Sequence, residues 1–245
     1  MSFEKELIDQ NFIPHEEKIM NNRCLPKGLP FNSKNARKII IIGAGAVGSR
    51  VAYMLAGMGV TGITVYDGDI VEKHDVCTNT YQSNDVGKLK TEALEVRILN
   101  DLKIKIQIVS EYFSGQVFSE AAMVIACVDT MSARQRIWNS VNVKTVLHSL
   151  YVDVRSSGNK AEVYTMMPCI ESRYASSLPN AENASLSLCE SSGDEFASGL
   201  AATFVSSVVL TFWQIGRVPY YKTDFVVTPA QVHACDCENR QVSKV

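Results

Sequence analysis

Residues 39–48 read Ile-Ile-Ile-Ile-Gly-Ala-Gly-Ala-Val-Gly, and this decapeptide constrains the fold more than any other stretch of the chain. Successive β-branched residues favour extended backbone, and an unbroken apolar run suits a strand buried on both faces of a parallel sheet. In the loop that follows, Gly43 permits a tight strand-to-helix turn and Gly45, next to Ala44, lets an anion approach the main chain. Gly48 allows the helix to pack closely on the strand. About twenty residues on, an acid ends the next apolar run, in Tyr66-Asp67-Gly68-Asp69. A carboxylate at that strand end can accept hydrogen bonds from ribose hydroxyls. Strand, glycine loop, helix, strand and acid in this order point to a nucleotide site. They leave open whether it takes NAD or ATP. Asp69, followed by Val71-Glu72, is more acid than a dinucleotide site requires.

From Lys38 onward short apolar runs alternate with helical patterns, the signature of a parallel sheet with crossover helices. Strands are expected over 38–42, 63–66, 104–109, 123–128 and 146–150, and helices over 47–59, 87–100 and 133–141. Residues 152–167 alternate around Gly158-Asn159, which predicts an antiparallel hairpin. Residues 169–195 are polar and serine-rich with no period, and a loop this long in a compact domain is functional or disordered. An apolar helix over 199–215 and a strand over 224–228 follow. Residues 1–36, broken by Pro14, Pro26, Gly28 and Pro30, read as an N-terminal arm with a short amphipathic helix over 3–12. No repeat or linker divides 37–245, which reads as one domain. The predicted class is α/β: a Rossmann-like, mostly parallel sheet flanked by helices, with an antiparallel extension in the C-terminal half.

A formal charge of −2 gives no electrostatic footprint for nucleic acid or an anionic membrane. No apolar run reaches the roughly 18 residues of a membrane span. The start, MSFEKELIDQNF, lacks a signal-peptide pattern, so a cytoplasmic location is expected. The seven cysteines are then expected to be buried, metal-bound or reactive rather than paired as disulfides.

Four segments in order carry a resemblance: GAGAVGS, YDGDIVEKHDV, DVGKLKTEAL and ACVDTMSARQRI. Together they resemble the superfamily of ThiF, MoeB, HesA and the ubiquitin-activating enzymes over roughly residues 38–165. The later HSLYVDVRSSGNKAEVY looks closer to short ThiF-like proteins of plasmids and phages. The resemblance implies ATP-dependent adenylation of the C-terminal carboxylate of a ubiquitin-like or sulfur-carrier protein, within a homodimer, so 37–245 would be a nucleotide-binding and adenylation domain. It implies that Lys90 contacts phosphates, that Asp129 helps hold Mg²⁺, and that Arg134 is as much structural as catalytic. Gly43, Ala44, Gly45, Gly48, Asp67, Asp69, Lys90 and Asp129 would bind the nucleotide. Each has a plainer reading: Lys90 an exposed lysine, Asp129 a helix N-cap, Arg134 a surface ion-pair partner.

The chain also departs from the family pattern. Where relatives have an asparagine and then a phosphate-binding arginine, it has Asp75 and Thr78; an aspartate there would repel a triphosphate. The basic arm (Arg23, Lys27, Lys34, Arg37) is a candidate replacement. Of the paired thiols that hold zinc in relatives, Cys169, Cys235 and Cys237 remain, in broken spacing. Cys189, in the polar loop, matches a cysteine that in some relatives accepts the activated carboxyl group. Two rival readings stay open: a catalytically degenerate scaffold of the same family that binds nucleotide or a peptide tail, and an NAD(P)-dependent oxidoreductase.

Overall fold

The isoleucine run forms strand β1 (Lys38–Ile42), and its four isoleucines are buried to within 2%. Because side chains alternate across a strand, Ile39 and Ile41 enter one hydrophobic cluster while Ile40 and Ile42 enter another, on the opposite face of the sheet. A strand apolar on both faces needs helices above and below it. The computed structural model describes residues 38–78, 80–116, 122–141, 150–167, 173–178, 194–218, 220–227, 230–235 and 241–242.

The elements follow in the order β1, α1 (Ala46–Gly57), β2 (Ile63–Tyr66), a short α2 (Asp75–Thr78), α3 (Lys90–Leu102), β3 (Gln107–Val109), β4 (Ala122–Ala126) and α4 (Met131–Val141). Then come β5 (Tyr151–Ser157), β6 (Lys160–Met166), α5 (Arg173–Ser176), α6 (Asp194–Ile215), β7 (Lys222–Val226), β8 (Gln231–Cys235) and β9 (Gln241–Val242). They build one sheet with strand order β3-β2-β1-β4-β5-β6-β7-β8-β9. The first five in that order are parallel, and β5 to β9 pair antiparallel. The chain winds outward from β1 to β3 and returns to β4 on the other side. The order therefore reverses between β1 and β4, and a crevice opens there at the strands' carboxyl ends.

The predicted hairpin is present, with Ser157 opposite Lys160 across the turn. Its first arm, however, is the fifth strand itself: β5 pairs parallel with β4 at Tyr151–Asp153 and antiparallel with β6 along its whole length. Of the strand expected over 146–150, residues 146–149 lie outside those described, as do 142–145; the fifth described strand is Tyr151–Ser157. So do the arm, with its expected helix and basic residues, and most of the polar loop, in which α5 forms a single turn.

The helix α6 starts five residues earlier than its apolar pattern suggested, and it packs on α1, β5 and β6. Within it, Glu195–Ile215 is long and apolar enough to cross a membrane by length and composition, contrary to expectation. The run escaped notice because serine and threonine interrupt it, yet their hydroxyls turn inward on the helix: Ser206 donates to the Ala202 carbonyl and Thr203 to that of Gly199. Half of the apolar window is buried within the protein, as in a core helix.

Candidate functional site

A cavity of about 830 Å³ occupies the crevice. One wall is the glycine loop. Gly43 takes φ +99°, and a Cβ there would stand 2.3 Å from the Cys127 carbonyl oxygen. A Cβ on Gly48 would stand 1.9 Å from the Gly43 carbonyl oxygen, so both glycines are required by close approach of main chain. Around Gly45, by contrast, nothing lies within 4 Å of a built Cβ, and this residue lines the cavity. Gly45 is the N-cap of α1 and Ser49 makes the first intrahelical bond back to it. The amides of the first turn, Ala46, Val47 and Gly48, thus have no intrahelical acceptor, and no acid occupies that turn. Such an end favours an anion.

Asp67 follows directly on β2, and each of its oxygens accepts a backbone amide. Its Oδ2 accepts the Ala44 amide at 2.6 Å and its Oδ1 the Asp69 amide at 2.7 Å. Burial raises its pKa, against the pull of those two hydrogen bonds. The Tyr81 hydroxyl braces the same loop by donating to the Ala44 carbonyl at 2.7 Å. Asp67 therefore shapes the glycine loop, and it also lines the cavity where ribose recognition is expected. Asp69 is the more open carboxylate: its side chain is half-exposed in the cavity and accepts the Tyr112 hydroxyl.

Lys90 opens α3, and its ammonium reaches back under the acidic turn, 3.5 Å from Asp69 and 3.5 Å from Asp75. It is not an exposed helix lysine. Burial alone would lower its pKa, but Asp75, Asp67 and Asp69 together leave it raised. Asp75 is itself buried, and its Oδ2 accepts the Glu72 amide at 2.8 Å, which closes the turn into α2. The side chain of Thr78, and Asn79 altogether, lie outside the described residues.

Asp129 lies three residues beyond the end of β4, exposed at the cavity. It does not cap α4. That role falls to Thr130, whose Oγ1 accepts the Ala133 amide at 3.3 Å. Among the described residues the Asp129 carboxylate has no hydrogen-bond or ion-pair partner. As a free hard-oxygen donor it fits a magnesium ion. Arg134, in contrast, is buried rather than a surface partner. It pairs with Asp153, donates to the Val154 carbonyl at 2.8 Å, and donates to the Val128 carbonyl, which fixes the loop carrying Asp129. Cys127, below that loop, is held as a core thiol, with burial pushing its pKa up to about 12.

The far wall went unread in the sequence. It is the β5–β6 hairpin, which contributes Val154 to Ser157, Lys160 and Glu162. Arg155 donates to Asp153 at 2.8 Å and lies 4.3 Å over the Tyr164 ring. Asp153, fully buried, also accepts the Tyr174 hydroxyl at 2.8 Å. Arg155 and Lys160 flank the Gly158-Asn159 turn, and that pattern was the available signal. Tyr112, just after β3, had none.

Cys189, Cys169 and Cys237 lie outside the described residues, as does the side chain of Cys235. Among the described residues no group of three or more His, Cys, Asp or Glu side chains is arranged to hold a metal.

Comparison with known proteins agrees with this geometry. The ThiF family pattern matches residues 32–226. The adenylyltransferase and sulfurtransferase uba4 of Aspergillus niger is 28% identical over 107 residues, covering 41% of this chain and 22% of that protein. The uba4 of Emericella nidulans is 29% identical over the same length and share. The match thus spans less than a quarter of those curated relatives. Among solved structures, the Microcin C7 biosynthetic enzyme MccB in complex with N-formylated MccA has a TM-score of 0.64 at 16% identity, covering 86% of this chain and 67% of that one. E. coli MccB with ATP gives 0.61 at 17%, over 85% and 65%, and PaaA gives 0.61 at 17%, over 82% and 64%. At such identities these likenesses speak to the fold, whereas the pattern covering residues 32–226 speaks to descent. The chain belongs to the ThiF family.

Proposed function

We propose that this chain is an adenylyltransferase that uses ATP to activate the C-terminal carboxylate of a partner protein or peptide, most specifically a ubiquitin-like or sulfur-carrier protein. The observation that carries the reading is the free carboxylate of Asp129, which lines one cavity with the amide-rich N-terminus of α1 and the hairpin wall. Adenylation brings together an anionic triphosphate and an anionic carboxylate, so donors and cations must hold both at once. In this reading the α1 amides meet phosphate oxygens and Asp69 meets the ribose. Asp129 would hold Mg²⁺, which supplies charge neutralisation between the two anions. Arg134 keeps the Asp129 loop in position from below. The partner's tail runs along the hairpin, past Arg155 and Lys160. A homodimer, a cytoplasmic location, a zinc site at Cys169, Cys235 and Cys237, and an acceptor role for Cys189 belong to the same proposal.

The degenerate-scaffold reading is favoured by one specific observation, the engagement of Lys90 by two carboxylates at 3.5 Å. The oxidoreductase reading is weakened, because each Asp67 oxygen already accepts a backbone amide. ATP–pyrophosphate exchange with candidate carrier proteins and peptides separates the three. Exchange that disappears in Asp129→Ala supports adenylation. Tight NADH fluorescence binding without ATP binding would sink it, and ATP binding without exchange by any carrier favours the scaffold.

A further inference from the structure

On the reading that the cavity binds ATP, we propose that Asp75 withholds Lys90 from the nucleotide phosphates and so sets the affinity of the site. Among the described residues, the cavity offers few uncommitted cations. Arg134 is spent on Asp153 and on two carbonyls, and Arg155 on Asp153 and Ser177. Arg136 donates to the Phe113 carbonyl at 3.3 Å, and Lys160 stands on the opposite, hairpin wall. Lys90 is therefore the cation beside the glycine loop, with a side chain only 12% exposed.

That ammonium is bracketed by Asp69 Oδ2 and Asp75 Oδ1, each at 3.5 Å, with Asp67 close enough to raise its pKa as well. The two brackets differ. Asp69 is half-exposed, so water can solvate it when a phosphate takes its place. Asp75 is only 4% exposed, and its other oxygen is tied to the Glu72 amide, so it cannot follow the lysine or rotate away. Drawing the lysine away removes a counter-charge from a buried carboxylate, which opposes release. His74 stands 3.9 Å from Asp75 Oδ1 and 3.5 Å from Glu72, beyond hydrogen-bonding distance of Asp75, so Lys90 is the nearer counter-charge. A phosphate oxygen approaching Lys90 thus competes with a fixed carboxylate and also meets its charge.

The test is calorimetric titration of the full chain with ATP, ADP and AMP, for wild type, Asp75→Asn, Lys90→Met and the double variant. Asparagine keeps an oxygen for the Glu72 amide, so the turn persists, which a thermal melt checks. Asp75→Asn is expected to tighten ATP binding about tenfold and to change AMP binding less than about twofold, since AMP lacks the distal phosphates. In the Lys90→Met background the same change is expected to give less than about threefold. Unchanged or weaker ATP binding by a folded Asp75→Asn overturns the proposal. So does an equal gain without Lys90, which would make Asp75 a plain repulsive charge. If none of the four proteins binds ATP, the ATP reading of the cavity falls and this proposal with it.

Discussion

Substituting alanine at each glycine of the loop separates packing from binding. At Gly48 the added Cβ would lie 1.9 Å from the Gly43 carbonyl oxygen, where an ordinary contact needs at least 3.4 Å. The first turn of α1 and the end of β1 must part by about 1.5 Å, the difference of those two distances. The contact is with main chain, so no flexible side chain can absorb the change. Overpacking of this kind costs about 3 kcal/mol, the upper end of the usual range. At Gly43 the contact deficit is about 1.1 Å, from 2.3 Å to 3.4 Å, and φ is +99°. Holding an L-residue at positive φ adds roughly 1–2 kcal/mol, so the total reaches about 3–5 kcal/mol. Gly45 has φ −74° and open space around it, so alanine is expected to change stability by less than about 0.5 kcal/mol. Its methyl group instead projects where an anion would approach the α1 amides. Urea unfolding with a fixed m-value gives the stabilities, and titration with a fluorescent ATP analogue gives the affinities. Gly43→Ala and Gly48→Ala are expected to lower the midpoint sharply, and Gly45→Ala to weaken binding at least about tenfold in a fully folded protein. A Gly48→Ala protein as stable as wild type would refute the close approach. A Gly45→Ala protein that binds ATP normally would refute the phosphate route.

Asp153→Asn leaves two arginines, buried Arg134 and partly exposed Arg155, without their common, fully buried carboxylate. A loss of about 3–5 kcal/mol is expected, lowering Tm by roughly 6–20 °C, and a shift under about 3 °C in scanning calorimetry would contradict the central role given to this carboxylate. For Lys90 the pH dependence has a definite sign. Its folded pKa is raised above 10.5, so the stability it contributes is fully present below pH 10.5 and is lost as pH rises through the folded value. The stability gap between wild type and Lys90→Met is therefore expected to stay constant at neutral pH and to narrow in alkali. A gap that widens in alkaline urea titrations would reverse the argument.

The central layer of the fold was legible because its signals are local. Four buried isoleucines, a turn that only glycine can make, and alternation around Gly158-Asn159 each depend on neighbours in sequence. The β8–β9 edge escaped, since Gln231–Cys235 alternates weakly and its partner Lys222–Val226 carries charge at both Lys222 and Asp224. The membrane-length helix escaped for the reverse reason, its hydroxyls being hidden against its own carbonyls. Of the site, the glycine roles and the place of Asp129 just past the strand expected over 123–128 could be read. The hairpin wall could not, because its residues reach the crevice only through β4–β5 pairing.

What sequence could not supply was the state of each charge, because that depends on a partner distant along the chain. Asp129 and Thr130 are adjacent and both are good N-caps, yet only one can hold the α4 amide. Thr130 does so, and the carboxylate next to it is left free. Arg134 stood open between a structural role and a surface ion pair, and the partner that buries it, Asp153, comes from a strand 19 residues on. Asp75 was judged by its own charge as a repeller of phosphate. Lys90, 15 positions away, turns it into half of an ion pair. In each case the residue type was correctly identified and its counter-charge decided its role. Burial makes that decision strong, since an unpaired charge in the interior is far costlier than one in water. The two committed arginines, the held lysine and the free aspartate follow from the same rule. Those charges buried away from solvent are spent on the fold, and Asp129, an exposed carboxylate at the cavity with no partner among the described residues, is the residue whose removal should affect chemistry while leaving stability intact.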